Sequence, residues 1–82
     1  MNKEILKKRL KNHALRIIKL VDLLPKTVVG RTVGNQLVRS GTSVAANYRA
    51  ALRARSRAEF ISKLGIVIEE ADESAFWLEI YN

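Results

Sequence analysis

The apolar residues in the first third of the chain recur at steps of three and four. An α-helix has about 3.6 residues per turn, so this spacing brings them to one helical face. The face comprises Leu6, Leu10, Ala14, Ile17, Val21 and Leu24. Pro25 follows directly and lacks the amide that a continuing helix needs. The pattern predicts a first helix over about residues 3–24.

The middle of the chain carries conflicting signals of strand and helix. Val28 and Val33 favour a strand, and the run from Ser40 to Ser43 is typical of a turn. A helical spacing nevertheless continues through that run, carried by Val33, Leu37, Gly41, Val44, Tyr48 and Leu52. Because sustained periodicity outweighs local propensity, we predict one long helix over about residues 27–55.

Two further faces of this predicted helix are built from small or polar residues. Interior glycines cost about 1 kcal/mol each relative to alanine, so they need an offsetting role. A face of small residues, Gly30, Gly34, Gly41 and Ala45, predicts close packing by another segment. A polar stripe of Gln36, Ser40, Ser43 and Asn47, with Arg39 beside it, is either a binding strip or a buried hydrogen-bonded seam. Small hydroxyls beside small apolar residues favour the seam.

The last third begins with a capping box, in which Ser56 and Glu59 satisfy free backbone amides at a helix start. A heptad seam then follows, comprising Phe60, Leu64, Val67, Ala71, Ser74, Leu78 and Tyr81. We predict a third helix over about residues 57–82. Its apolar end includes Trp77, which belongs either to the bundle core or to an interface with another subunit.

Folding the second and third predicted helices into a hairpin about Ser56 gives a testable register. Residues equally distant from the turn then lie side by side. The resulting pairs are Arg39 with Glu73, Arg53 with Glu59, and Asn47 with Gly65, where the glycine leaves room for the asparagine. An exposed ion pair stabilises by only about 0 to 1 kcal/mol, so these pairs would set register more than stability.

Chain length and cysteine content point to self-association. With 82 residues, the chain is shorter than most domains, and a single core of that size is marginal. It has no cysteine and one histidine, His13, so neither a disulfide framework nor a closed zinc site is available. We therefore expect a single helical domain over residues 1–82 that is supported by oligomerisation.

Charge is unevenly distributed along the chain, whose formal net charge is +7. Residues 1–26 carry +6 and residues 27–56 carry +5, whereas residues 57–82 carry −4. The excess on the first helix attracts polyanions or acidic partners, although a solvated basic face is the alternative. The residues that we predict to bind nucleic acid are Lys3, Lys7, Lys8, Arg9, Lys11, Arg16 and Lys19.

The sequence indicates no catalytic or metal site. Local spacing places no acid or nucleophile beside His13. Glu69, Glu70 and Glu73 share a helical spacing, but di-metal sites in bundles also need Glu-x-x-His pairs, which are missing. Charges interrupt every early apolar run, so we expect neither a signal peptide nor a membrane span. Attachment of the first helix to a membrane surface is a weaker alternative, because its apolar face lacks Trp and Phe at the boundary. We expect a bacterial cytoplasmic protein without enzymatic activity, cofactor or small-molecule substrate.

Residues 36–80 resemble the four-helix bundle family of proteins encoded in intervening sequences of bacterial 23S ribosomal RNA genes, also called the S23 ribosomal protein family. Looser similarity reaches back to Lys3. The residues that carry the resemblance are Gln36, Leu37, Arg39, Ser40, Ser43, Asn47, Phe60, Leu64, Glu69, Glu73, Trp77 and Leu78. It implies an all-α, antiparallel up-down bundle without catalytic activity.

The resemblance also implies ring-shaped homo-oligomers, with pentamers expected. It implies a distant relation to an accessory protein of diversity-generating retroelements, which binds a reverse transcriptase and nucleic acid through a basic surface. Family members continue into a fourth helix, whereas this sequence stops at Asn82, so three helices of a four-helix plan are expected. Two functions remain open: a nucleic-acid adaptor, or a protein-interaction scaffold whose basic face is only solvated.

Overall fold

A computed structural model describes residues 2–81 and contains three helices in this range. They are α1 (Lys3–Asp22), α2 (Val28–Ala51) and α3 (Arg57–Tyr81). The predicted all-α antiparallel bundle is confirmed. α2 packs against both of its neighbours, whereas no Cα of α1 within the described residues comes within 8 Å of one in α3. The result is an open arrangement of 44 × 20 × 16 Å, with α1 and α3 on either side of α2.

Side-chain oxygens cap the start of each helix. Asn2 accepts a hydrogen bond from the Ile5 amide at 2.9 Å, and Thr27 accepts one from the Gly30 amide at 3.0 Å. Caps of this kind satisfy amides that lack an intrahelical partner.

Ser56 caps α3 as the sequence predicts, since it accepts a hydrogen bond from the Glu59 amide at 3.1 Å. The returning half of the capping box differs from the expected form. Glu59 accepts from the amide of Arg55 at 3.4 Å, one residue before the cap.

The helix ends depart from the predicted bounds. α1 ends at Asp22 rather than at residue 24. α2 ends at Ala51 rather than at residue 55, because the amides of Arg53 and Ala54 bond three residues back, each at 3.0 Å, and tighten the chain into a turn. The predicted end of α3 at Asn82 lies outside the described residues.

α2 runs through the turn-like stretch from Ser40 to Ser43 without a break, as its periodicity predicts. The hydroxyl of Ser40 donates to the Gln36 carbonyl at 2.8 Å, and that of Thr42 donates to the Val38 carbonyl at 2.6 Å. These groups therefore bond within the helix instead of competing with it.

The glycine face of α2 packs closely against α1 and the turn that precedes α2, in agreement with its prediction. A Cβ at Gly41 would lie 2.5 Å from Ile17 Cδ1, and one at Gly34 would lie 3.0 Å from Val21 Cγ1. A Cβ at Gly30 would overlap the carbonyl oxygen of Pro25. These contacts set the register between α1 and α2.

The core is small and lies mainly between α1 and α2. Its buried cluster comprises Ile17, Leu24, Val33 and Leu37. Trp77 of α3 packs against this cluster while half-buried, and its ring meets that of Phe76 edge-on at 5.1 Å. In this structure, Trp77 is therefore a peripheral part of the core.

The predicted register between α2 and α3 is correct at one end and wrong at the other. Arg39 pairs with Glu73 as predicted. Within residues 2–81, however, Arg53 forms no ion pair with Glu59.

The expected packing of Asn47 against Gly65 is also wrong. The Asn47 amide donates to the Ser43 carbonyl within α2 at 2.9 Å, and Gly65 faces open space. Because α2 ends four residues early, the turn is longer than the symmetric hairpin assumed, and pairs close to it move apart.

Candidate nucleic-acid interface

The predicted basic residues of α1 divide between two surfaces. One is a cleft in which Lys7, Lys8 and Lys11 of α1 meet Arg49 of α2, with Glu4 at its edge. We call these five residues the Arg49 cleft. It joins four cationic side chains with one acid, and it exists because the N-terminal half of α1 lies beside the C-terminal half of α2.

The second surface belongs to α1 alone. It comprises Arg9, Asn12, His13, Leu15, Arg16 and Lys19, and we call it the His13 face. It contains no acidic residue. Lys3 lines neither surface and is exposed in the first turn of α1.

Among the described residues, the cationic side chains of both surfaces form no ion pair. In the described part of the chain, the two ion pairs join Arg39 to Glu70 and to Glu73, and neither involves α1. Arg39 of α2 thus neutralises Glu70 and Glu73 of α3, while the positive charge of α1 faces solvent. Uncompensated like charges raise the local concentration of polyanions around a surface.

Arg49 was not among the predicted residues. Sequence reasoning paired only the second helix with the third and left the first unpaired. The signal that could have found Arg49 is the glycine face: placing Gly41 against Ile17 in an antiparallel hairpin brings Arg49 close to Lys7. The register between α1 and α2, which places Arg49 in the cleft, was not predicted.

Within the polar stripe of α2, Ser40 forms the buried hydrogen-bonded contact with α3 that the sequence favoured, whereas Ser43 and Asn47 bond to each other within α2. Ser40 and Ser74 are both buried, and their hydroxyl oxygens lie 2.9 Å apart. Ser40 donates to Gln36, so Ser74 supplies the proton of this contact or donates to the Glu70 carbonyl at 3.0 Å. Burial is tolerated because each hydroxyl has a partner.

Arg39 closes the outer edge of the seam. Its guanidinium contacts both carboxylate oxygens of Glu70, at 3.1 and 3.3 Å, pairs with Glu73, and donates to Gln36 Oε1 at 3.4 Å. Arg39, Gln36 and Ser40 thus hold the α2–α3 register rather than presenting a binding strip. The sequence analysis placed Ser74 in the apolar seam of α3 and named Glu70, but it did not predict the pairing of Ser74 with Ser40 or of Glu70 with Arg39.

The other motif residues are dispersed along α2 and α3. Ser43 and Asn47 are joined within α2, and Ser56 and Glu59 form the start of α3. Phe60 is half-buried, whereas Glu69 is exposed. Of the three glutamates at helical spacing in α3, Glu70 and Glu73 bind Arg39. Residues 2–81 contain no cluster of three His, Asp or Glu side chains suited to a metal ion.

An apolar groove opens between α1 and α3 over the middle of α2. It is lined by Leu20, Leu24, Leu37, Leu78 and Tyr81. From Leu78 a row of apolar residues continues along α3 at steps of three and four: Ile61, Leu64, Ile68, Ala71 and Ala75. Ile61 is 58% exposed and Ile68 is 68% exposed, so within residues 2–81 no other helix covers this part of the row, although Leu64 is half-buried.

Within residues 2–81, no helix combines the length and the hydropathy that crossing a bilayer requires.

Comparison with known proteins agrees with this architecture. A family profile described as 23S rRNA-intervening sequence protein matches residues 2–82. A crystal structure from Bacteroides thetaiotaomicron, described as a protein of unknown function from the S23 ribosomal protein family, is 39% identical in sequence. Its TM-score is 0.83, and the match covers 98% of this chain and 71% of that one. No curated protein matches the sequence. The chain therefore belongs to the 23S rRNA-intervening sequence protein family.

Proposed function

We propose that this protein is a non-enzymatic, homo-oligomeric adaptor that binds the phosphate backbone of RNA or DNA through the Arg49 cleft. The observation that carries the proposal is the convergence of Lys7, Lys8, Lys11 and Arg49 from two helices. None of these side chains has an ion-pair partner in the described residues. Their charge is therefore free for an external polyanion.

The chemistry of the cleft suits phosphate rather than bases. Lysine and arginine contacts to phosphates position a nucleic acid without reading its sequence. No aromatic residue lines the cleft to stack with an unpaired base. We therefore expect binding that depends steeply on salt and little on sequence.

Electrophoretic mobility shift with a structured RNA and a DNA duplex, across a salt series, tests this function. Reversing Lys7, Lys8 and Lys11 to glutamate should abolish the shift. Arg49→Glu alone should weaken binding and lower the salt slope by about 1, since one phosphate contact is lost. Arg31→Glu is the matched control, because Arg31 is an exposed α2 arginine outside the cleft. Absence of binding at low salt, or an unchanged shift in the triple variant, contradicts the proposal.

The homo-oligomeric part of the proposal is supported by the apolar groove and by the apolar row that continues from it along α3. The heptad-like spacing of this row suits packing against another helix, and a second copy of the chain would bury the row away from water. A ring, with pentamers expected from the family resemblance, would repeat the Arg49 cleft and multiply its contacts with one polyanion.

Light scattering after size exclusion tests the assembly. The molar mass of the wild-type protein should be a multiple of the 9.3 kDa of one chain. Ile68→Lys should reduce that mass because it places a charge in the apolar row, whereas Val28→Lys, at another highly exposed position, should not. A monodisperse 9.3 kDa wild-type monomer would contradict self-association.

The groove also favours a second candidate function, a protein-interaction scaffold that docks a helix of another protein. In that case the basic surfaces are only solvated. The mobility-shift experiment distinguishes the two candidates, because a scaffold would leave nucleic acid unshifted at low salt. Ile68→Lys would still abolish binding of the partner protein's helix.

A further inference from the structure

The exposed face of α3 carries two acids beside its apolar row. Asp72 follows Ile68 by four residues, and Glu79 follows Ala75 by four. Successive residues of a helix are rotated by about 100°, so each acid is turned by only about 40° from its apolar neighbour. Both acids are exposed, and among the described residues neither forms an ion pair. The uncovered part of the row is therefore bordered by negative charge.

α1 has the same spacing with charges of the opposite sign. At steps of four, three and four it carries Ile5, Arg9, Asn12 and Arg16, which we call the α1 strip. The same steps in α3 give Ile68, Asp72, Ala75 and Glu79, which we call the α3 strip. Each strip lies within about 60° of its helix surface, and all of its residues are exposed.

The two strips match residue by residue when they lie side by side in the same direction. Arg9 then faces Asp72, and Arg16 faces Glu79, two helical turns further on. The apolar residues Ile5, which is 46% exposed, and Ile68, which is 68% exposed, cover each other at one end. Such a contact removes apolar surface from water and pairs four charges that have no ion-pair partner among the described residues.

The strips of one chain cannot reach each other, because no Cα of α1 within the described residues comes within 8 Å of one in α3. Contact between two α1 strips, or between two α3 strips, would place like charges together, which is unfavourable. The complementary contact therefore joins different surfaces of two copies. Contacts of that kind are head-to-tail and close into rings when the rotation between copies allows it.

We propose that the α1 strip of one copy packs in parallel against the α3 strip of the next, with ion pairs between Arg9 and Asp72 and between Arg16 and Glu79. This inference rests on the homo-oligomeric part of the proposed function and names the surfaces that carry it. α1 and α3 run in the same direction within a chain, since both are antiparallel to α2, and rotation about an axis along the bundle preserves that direction between copies.

The proposed interface leaves the Arg49 cleft open. Around α1, Arg9 is turned by about 160° from Lys7, and Arg16 by about 140° from Lys11. A copy packed against the two arginines therefore leaves these two lysines accessible. Arg9 and Arg16, which the sequence suggested as contacts to nucleic acid, are assigned to the assembly instead.

Charge exchange followed by light scattering tests the interface. Arg9→Glu with Arg16→Glu should lower the molar mass toward the 9.3 kDa of one chain, and so should Asp72→Lys with Glu79→Lys. Combining all four substitutions in one chain should restore the wild-type mass, because each contact again joins opposite charges. An equimolar mixture of the two double variants should associate for the same reason.

The matched control is Arg53→Glu with Arg55→Glu, which changes the net charge by the same amount as the α1 variant. Both arginines are exposed in the turn between α2 and α3, outside the two strips, so this control should keep the wild-type mass. Circular dichroism should show wild-type helix content in every variant, because all the substituted side chains are exposed.

The other results would overturn the proposal. If the α1 variant keeps the wild-type mass, copies associate through another surface. If the four substitutions together do not restore the mass, the arginines and acids do not face each other. A monomeric wild-type protein overturns self-association and this interface together. Absence of a mobility shift at low salt overturns nucleic-acid binding alone, since molar mass is measured without nucleic acid.

Discussion

Gly30→Ala is expected to destabilise the protein by about 1 to 3 kcal/mol, even though alanine is the better helix former. The added Cβ would overlap the carbonyl oxygen of Pro25, a backbone atom that cannot rotate away. It would also lie 3.2 Å from Thr27 Oγ1, which caps α2 through the Gly30 amide. Relief requires moving the turn, which disturbs both the cap and the register of α1.

Gly65→Ala provides the matched control. Gly65 also lies inside a helix, but nothing comes within 4 Å of its Cβ position. The same substitution there should stabilise the protein by about 1 kcal/mol, because only helix propensity changes. Urea unfolding of the three proteins at one concentration measures both effects. Shifts of the same sign for both variants would falsify the close approach at Gly30.

The helices and their breaks were predictable because their signals are local. Pro25 and the capping residue Ser56 mark the breaks, and long apolar periodicity overrode the turn-like composition around Gly41. Helix ends were less predictable. The tight hydrogen bonds at Arg53 and Ala54 depend on how the chain enters α3, which no short sequence pattern specifies.

The candidate site was predicted only in part, because it depends on contacts between helices. The basic residues could be read from the sequence, and helical spacing alone separates Lys7 from Arg9. Which of these residues meet α2 depends on the α1–α2 register. That register is set by contacts of Gly41 with Ile17 and of Gly34 with Val21, and it brings Arg49 to the cleft.

Leu37→Ala should cost about 2 to 5 kcal/mol, the range for truncating a buried leucine. Leu37 is 1% exposed and packs with Ile17, Leu24 and Val33. It also forms the floor of the apolar groove, so its loss deepens an opening that water can enter. We expect a value near the lower end of the range, because solvation of the space offsets part of the cavity term.

Leu23→Ala is the control for this variant. Leu23 is 82% exposed, so its truncation should change stability by no more than about 0.5 kcal/mol. Urea unfolding at two protein concentrations distinguishes the loss of core packing from the loss of self-association. If copies of the chain cover the groove, the wild-type midpoint rises with concentration, and Leu37→Ala reduces that rise, since the groove floor that supports the contact is lost. Equal costs for the two variants would mean that Leu37 is not part of a packed core.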